Sequence, residues 1–334
     1  MSRTATGIPG SGMNAPSGIG TRRAGAQRLG TWDRPKVQGG PVKQFIFTWF
    51  QPVVLAAMIA FWTFAPDRYA TPAVGIGIGI AFKVVCLGLE WVSQRHASWR
   101  LTWKELTTDL FYVAVSYTLV KYAAKHIGSD AAVDAIKHYW NIHTAWAGHW
   151  PFLLQVFVTM FVFDFGQYWM HRAMHNWYPL WLTHAPHHYI TQLNVLKGAI
   201  GNPIEIFLIG LGIGGFLDFL PRAALAAGGI GLAIDIYNHA NIRFNTPRWW
   251  LYLFNTVEHH SLHHCQDYAS TRCNYANTFI IIDRMFGTCV DDEAELVGQE
   301  GGRRMSIREQ MLYPFLPVID RVRTGRSPAA VPAE

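Results

Sequence analysis

Ten of the fifteen histidines in this chain fall into four clusters between residues 171 and 264. The first holds His171 and His175, and the second holds His184, His187 and His188. His239 stands alone within Asn-His-Ala-Asn, and the last cluster is His259, His260, His263 and His264. Imidazole is the commonest protein ligand for a transition metal near neutral pH. Residues three or four apart on a helix share a face. The spacing therefore predicts that His171 and His175 point one way, as do His184, His187 and His188, and as do His260, His263 and His264. Eight imidazoles on three convergent faces exceed what one tetrahedral metal can use, and they suit two metals. The predicted ligands are these eight and His239. His259 is a further candidate, because it sits about 100° around a helix from His260.

A lone histidine is more simply a satisfied polar residue, and His96, His126, His138, His143 and His149 take that reading. Imidazole suits iron, zinc and copper alike. A zinc hydrolase of the HExxH kind needs a glutamate after its first histidine, whereas Arg172 follows His171 and Ala185 follows His184. A neutral ligand set at two metals favours a redox pair with open positions.

The elements that must carry these clusters are apolar. Of 334 residues, half are hydrophobic and only 15% charged, with 14 Trp and 20 Phe. Soluble domains carry about a quarter charged residues, so the composition points to a membrane protein. Cys86, Cys265, Cys273 and Cys289 have no CxxC spacing, which leaves no zinc ribbon or disulfide framework. The net charge of +6 owes much to Arg22, Arg23, Arg28, Arg34, Lys36 and Lys43. A positive-inside signal accounts for that excess, and with no accompanying motif nucleic acid is not an expected partner.

Residues 1–43 read as a disordered basic tail. Residues 44–150 read as an N-terminal transmembrane region, 151–290 as the domain carrying the histidine boxes, and 291–334 as a cytoplasmic tail that is loose from Ser327 onward. Apolar runs at 44–65, 73–92, 108–124 and 151–170 approach the length of about 20 residues that crosses a bilayer. Residues 203–237, broken by Leu220-Pro221-Arg222, read as a helical hairpin that enters the membrane and returns. The expected fold is thus an all-α integral membrane protein with about four transmembrane helices, a membrane-inserted hairpin and a cytoplasmic helical cap carrying the histidines. Counting four crossings from an inside N-terminus puts His171 at the cytoplasmic face.

Asp164 and Tyr168 share the helical face of His171 and His175, and an ionisable residue inside a span usually faces the interior. Asp164 stands about 10 Å up the axis from His171, so it is expected to orient a ligand from another helix. Asp235, one turn before His239, is placed to hold that ring. Asn194, Asn238 and Asn241 are further polar candidates. Thr183 is the expected N-cap of a helix starting at His184, with Pro186 in its first turn. Asn202-Pro203 reads as a second pair of cap and first turn.

The run Asp164-Phe-Gly-Gln-Tyr-Trp-Met-His171-Arg-Ala-Met-His175 resembles the first histidine box of the fatty acid hydroxylase / sterol desaturase superfamily. His184-Ala-Pro-His187-His188 and His259-His260-Ser-Leu-His263-His264 resemble its second and last boxes. Asn274-Tyr275 and Asp283-Arg284-Met-Phe-Gly-Thr288 resemble the segment that closes the domain, with Ile282 where the family often has an aromatic. The resemblance covers roughly 150–290. It implies an integral membrane enzyme with a histidine-bound pair of iron ions (Fe2+), which uses dioxygen and external electrons to oxidise unactivated C–H bonds of lipids. The expected activity is hydroxylation of a membrane lipid, on its acyl chain or head group. Sterol or carotenoid oxidation or desaturation, alkyl-ether lipid cleavage, and non-catalytic metal binding in a membrane are the alternatives. No haem, flavin or dinucleotide fingerprint is present, so electrons are expected from a ferredoxin, or from a cytochrome with its reductase. Arg95, Arg100, Lys104 and the basic tail are candidates to dock that donor. The expected location is a bacterial inner membrane, or the endoplasmic reticulum of a eukaryote.

Overall fold

The computed structural model describes residues 36–120, 122–123, 129–209, 217–299 and 301–324. The tail expected to be disordered lies outside the described residues up to position 35, as do His126 and Ser327–Glu334. The described chain is helical: α1 (Pro41–Phe64), α2 (Pro72–Val92), α3 (Trp103–Val115, continued by a π-helical turn Ser116–Val120), α4 (Ser129–Tyr139) and α5 (Phe152–Asn176). There follow α6 (Tyr178–His188), α7 (Pro203–Ile209), α8 (Pro221–His239), α9 (Arg248–Leu253), α10 (Val257–His263), α11 (Ile280–Met285), α12 (Ile307–Leu312) and α13 (Leu316–Thr324). No strand occurs among the described residues. α1, α2 and α8 each open with proline in the first turn, where a missing N–H costs nothing. Thr71 and Thr102 cap α2 and α3 by accepting from Val74 N and Glu105 N, each at 3.3 Å.

α1, α2 and α5 are long and apolar enough to cross a membrane. Their polarity is inverted relative to a soluble helix. Gln51, Lys83 and Glu90 are buried, whereas Phe45, Ile80 and Trp91 are 66%, 56% and 70% exposed. Apolar side chains facing outward on a spanning helix meet lipid, and polar ones must turn inward to find partners. The Ala- and Gly-rich α8 packs against α1, α2, α5 and α10, since small residues let helix backbones approach closely.

Contacts sort the helix ends onto two sides. On one side, Val37 N donates to Asn245 Oδ1 at the start of α1. Just past the end of α2, Arg95 pairs with Glu258 of α10 at 3.2 Å. On the other side, Asp67 between α1 and α2 pairs with Arg222 at the start of α8. There Lys137 of α4 pairs with Asp218, and Gln155 at the start of α5 accepts from Leu220 N at 2.8 Å. The chain therefore passes from one side to the other along α1, α2, α3 and α5. It returns along α8 to the side where α5 ends, and there the histidines collect.

The third pass differs from the other three. α3 is short and carries Glu105 and Asp109 on its inner face, where Lys197 reaches both, Asp109 at 2.8 Å. Arg304 also pairs with Glu105. This run buries paired charges against the protein, and it is not among the described helices long and apolar enough to cross a membrane.

Residues 291–299, which the sequence reads as the start of a cytoplasmic tail, are built into the cap. Gly298 N donates to His264 O at 2.8 Å, and Glu293 takes both ends of the Arg95 guanidinium at 2.5 and 2.6 Å. Arg95 is consequently buried between Glu293 and Glu258, and it is withdrawn from the list of donor-docking residues. Removing one partner of such a network leaves buried charges uncompensated. Arg95→Met is expected to cost about 3–5 kcal/mol in unfolding of the purified protein in detergent. The exposed Arg308→Met should stay within about 0.5 kcal/mol, and an equally small effect at Arg95 would show that the network does not stabilise the cap.

Candidate metal centre

Four helices deliver the histidines. α5 brings His171 and His175 on its last two turns, and α8 ends at His239. α6 and α10 carry the second and last boxes, the latter completed by His264 just past the end of α10. The nine predicted ligands fall into two groups. His171, His175, His184, His188 and His263 form one, and His187, His239, His260 and His264 form the other. Within each group the candidate ligand nitrogens lie within 4.8 Å of one another, and all nine rings except that of His171 are buried.

The grouping corrects the expectation that each HxxHH box points one way. His188 joins the first group while its neighbour His187 joins the second, and His263 and His264 divide in the same manner. Adjacent residues on a helix lie about 100° apart, so each pair of neighbours spans two sites. His259 belongs to neither group. Its Nδ1 meets Thr256 Oγ1 at 3.1 Å and its Nε2 meets Asp291 Oδ1 at 3.0 Å, where Arg284 also binds.

Proton accounting tests whether these rings suit metal ions. His171 Nδ1 faces the Tyr275 carbonyl at 2.7 Å, so that nitrogen carries the proton. His184 Nδ1 faces Glu205 Oε1 at 2.7 Å, which places its proton in the same way. The two Nε2 atoms are then bare lone pairs, yet they approach to 3.0 Å. Two lone pairs at that distance repel unless a cation sits between them. His187, His239 and His263 also give Nδ1 to carbonyls, of Ile200, Asp235 and Cys273, at 2.5, 2.9 and 2.8 Å. The Nε2 of His263 is buried with no hydrogen-bond partner among the described residues. Outer oxygens that fix the tautomer and aim Nε2 inward are what a histidine-ligated metal requires. Nine neutral nitrogen donors in two groups fit a pair of transition-metal ions.

The supporting residues sit differently from expectation. Asp164 touches no imidazole. It accepts from the backbone N–H groups of Asn277, Thr278 and Phe279 at 2.9, 3.0 and 2.6 Å, and so holds the segment that follows Tyr275. Asp283 does the same for Tyr275 N and Ala276 N, each at 2.8 Å. Tyr168 bonds Thr288 and Arg172, each at 3.0 Å. Asp235 holds His239 chiefly through its main-chain oxygen, its carboxylate being 3.5 Å away. Asn194 donates to Asp109, Asn238 to the Asn277 carbonyl, and Asn241 to the His96 carbonyl. Thr183 is not a cap, because α6 already starts at Tyr178 with Pro179 in its first turn, and Pro186 falls in the last turn. Asn202 Oδ1 does accept from Ile204 N at 3.1 Å, at the start of α7. The residue missed by sequence reasoning is Glu205. It is the sole acid in the apolar stretch 203–217, and the rule that ionisable groups in such stretches face a site would have found it.

A cavity of about 480 Å³ opens on both groups, touching His171 and His184 of the first and His187, His239 and His260 of the second. Away from the histidines its wall is mostly apolar, with Met160, Phe163, Ile206, Ile209 and Leu232 beside the polar Thr159 and Gln167. Burial pushes the imidazoles outside the spans down, His184 to about 3 and His187 to about 4, with His260, His263 and His264 well below their usual range. The rings therefore stay neutral and able to bind metal at pH 7.

The folded rings refuse protons that the unfolded chain accepts below about pH 6.5. The stability of metal-free protein should therefore be full above about pH 6.5 and fall as pH drops towards 4. Thermal unfolding of metal-stripped protein at several pH values checks this, and a flat profile would contradict the neutral-ring assignment. The grouping also predicts unequal metal loss. His263→Ala leaves four imidazoles in the first group, whereas His264→Ala leaves three in the second. Elemental analysis should find roughly two metals per chain in wild type and in His263→Ala, and nearer one in His264→Ala. Equal losses would refute the division into these two groups.

Residues 156–288 match the fatty acid hydroxylase family. An ornithine lipid hydroxylase of Rhizobium tropici is 32% identical over 146 residues, covering 43% of this chain and 44% of the relative. An alkylglycerol monooxygenase of Xenopus tropicalis is 29% identical over 164 residues, covering 47% and 35%. A fatty acid hydroxylase of a Lecanicillium species is 32% identical over 184 residues, covering 47% and 48%. The chain thus spans less than half the length of these curated relatives. No solved structure matches it. Residues 156–288 hold every histidine of both groups, and they are the part of the chain that matches the fatty acid hydroxylase family.

Proposed function

We propose that this protein is a membrane oxygenase that hydroxylates a C–H bond of a membrane lipid at a histidine-held pair of irons. The observation that carries the reading is the arrangement of His171 and His184. Their protons are committed outward and their lone pairs face each other at 3.0 Å beside an apolar cavity. Iron bound there would supply the activation of dioxygen and the removal of a hydrogen atom from an unactivated carbon. One oxygen atom ends in the alcohol and the other in water, with two electrons and two protons from a donor.

The chain's own residues do the positioning. Glu205 and the carbonyls of Tyr275, Ile200, Asp235 and Cys273 lock the ring orientations. The apolar wall from Met160 to Leu232 takes the chain of a lipid and keeps water from the reacting carbon. The ligands lie at helix ends on one side of the membrane, which suits an electron donor arriving from water. We assign that side to the cytoplasm, because the basic N-terminal residues precede α1 and the helix passes return to the same side. The exposed Arg100 and Lys104 remain as docking groups for an acidic ferredoxin or cytochrome. Alkyl-ether cleavage is the second reading, favoured by the alkylglycerol monooxygenases among the relatives.

Lipid mass spectrometry of cells supplied with labelled dioxygen tests the proposal, with His264→Ala as the control. The expected product is a lipid heavier by one labelled oxygen, absent in the control. A lipid lighter by two hydrogens, without label, would replace hydroxylation by desaturation. Metal-loaded protein that alters no lipid when a donor is supplied would leave a non-catalytic metal-binding protein.

A further inference from the structure

The cavity has a direction relative to the membrane. Trp169 and Trp177 flank His171 and His175 in the sequence, and they are 43% and 60% exposed. The Arg172 guanidinium lies over the Trp169 ring at 5.4 Å. Exposed tryptophan beside arginine marks the level of the lipid head groups. The histidines stand at that level, and the cavity runs from them into the hydrocarbon. Along α5 it reaches from His171 to Thr159, a rise of about 18 Å. Half of a hydrocarbon core is about 15 Å thick, so the cavity is as deep as one leaflet. Of its polar side chains, Gln167 and Asp235 stand one turn from His171 and His239, and Glu205 bonds His184 at 2.7 Å. Asn277 and Thr278 follow Tyr275, whose carbonyl holds His171. At the far end, Thr159 donates its hydroxyl to the Gln155 carbonyl of its own helix at 2.8 Å. Its neighbours there are Met160, Phe163, Ala224, Ala227 and Gly228.

Two glycines open the deeper part. Glycine weakens a helix interior, and membrane helices use it where their backbones pack closely. Packing accounts for Gly79, where a Cβ would overlap Leu232, and for Gly229, where one would meet Met58 and Trp62 at 3.4 Å. It does not account for Gly228 and Gly231 of α8, which line the cavity. A Cβ on either meets no described atom within 4 Å. Gly231 and Gly228 lie about 12 and about 16 Å along the helix axis from His239. We propose that the cavity takes a lipid chain from the leaflet on the histidine side, with its tail pointing away from the histidines. The carbons next to the head group are then the ones presented for oxidation, and Gly228 and Gly231 set the chain length admitted. This rests on the oxygenase reading and names which end of the substrate meets the site. A chain from the opposite leaflet would have to cross the whole core of about 30 Å to bring its tip to the histidines, and the cavity is shorter than that.

Photo-crosslinking of the metal-loaded protein in bilayer nanodiscs, without dioxygen, tests the direction. The probe is hexadecanol carrying a diazirine at its last carbon, and peptide mass spectrometry maps the adducts. They are expected on Thr159, Met160, Ala224 or Ala227. Adducts on Gly198, Ile200 or Glu205 instead, or none in the cavity, would overturn the proposal. Unmodified hexadecanol and octanol then serve as competitors. Gly228→Leu should weaken competition by hexadecanol at least about tenfold and leave octanol, which stops short of residue 228, within about twofold. Gly231→Leu should likewise exclude hexadecanol. Probe adducts on the outward-facing Leu153 and Phe157, 53% and 52% exposed, should persist in both variants and report that they are folded. Equal weakening of the two alcohols by Gly228→Leu, or weakening of neither, would overturn the role of the glycines. Adducts are read without turnover, so a failure of lipid oxidation leaves the direction standing. A product oxidised at the tip of its chain would overturn the direction and leave the oxygenase reading intact.

Discussion

The fold depends on what happens at the outer nitrogen of each imidazole. A neutral imidazole that presents a lone pair inward carries its proton on the other nitrogen, and an oxygen beside that nitrogen fixes the choice. Five rings find that oxygen on Glu205 or on a main-chain carbonyl of Tyr275, Ile200, Asp235 or Cys273. Most of those oxygens lie in irregular segments that must themselves be held still. Asp164 and Asp283 do this for residues 275–279 by accepting five main-chain N–H bonds. The spanning helix α5 thereby supports the centre twice, once through its histidines and once through a carboxylate higher up that grips the loop behind them.

Burial sets the balance of forces around this arrangement. Rings removed from water resist protonation, which keeps them available to a metal, but their clustered lone pairs repel one another when no cation is present. The cap is strengthened elsewhere by paired charges, with Arg95 between Glu258 and Glu293, and Lys197 between Glu105 and Asp109. These pairs tie the short third pass and the segment after residue 290 to the histidine helices. The histidine-bearing ends are therefore braced from outside the centre as well as from within it.

Much of this was legible in the sequence. The spacing of nine histidines picked out the rings that converge, and the apolar runs marked the passes that carry them. What could not be read was the azimuth of each ring. Helical periodicity says that His184 and His188 share a face, but not that His187 turns to a different partner set, because that depends on where α8 delivers His239. Asp164 was flagged as an inward-facing acid, but its partners are backbone N–H groups, which leave no mark in side-chain spacing. Glu205 stands 21 residues from the ring it holds, a separation that only the folded chain closes. Arg95 looked like a surface charge until Glu293, 198 residues away, was brought to it.

The division of neighbouring histidines between the two groups has a mechanical consequence. His187 and His188 are successive residues of one helix, and His263 and His264 are successive residues at the end of another. The separation between the two groups is therefore set twice by covalent backbone, as a ruler is set by its engraving. A centre whose spacing relies on a shared small ligand drifts apart when that ligand leaves. Here the gauge is the peptide chain itself, so small molecules can come and go between the two positions without the frame losing its dimension.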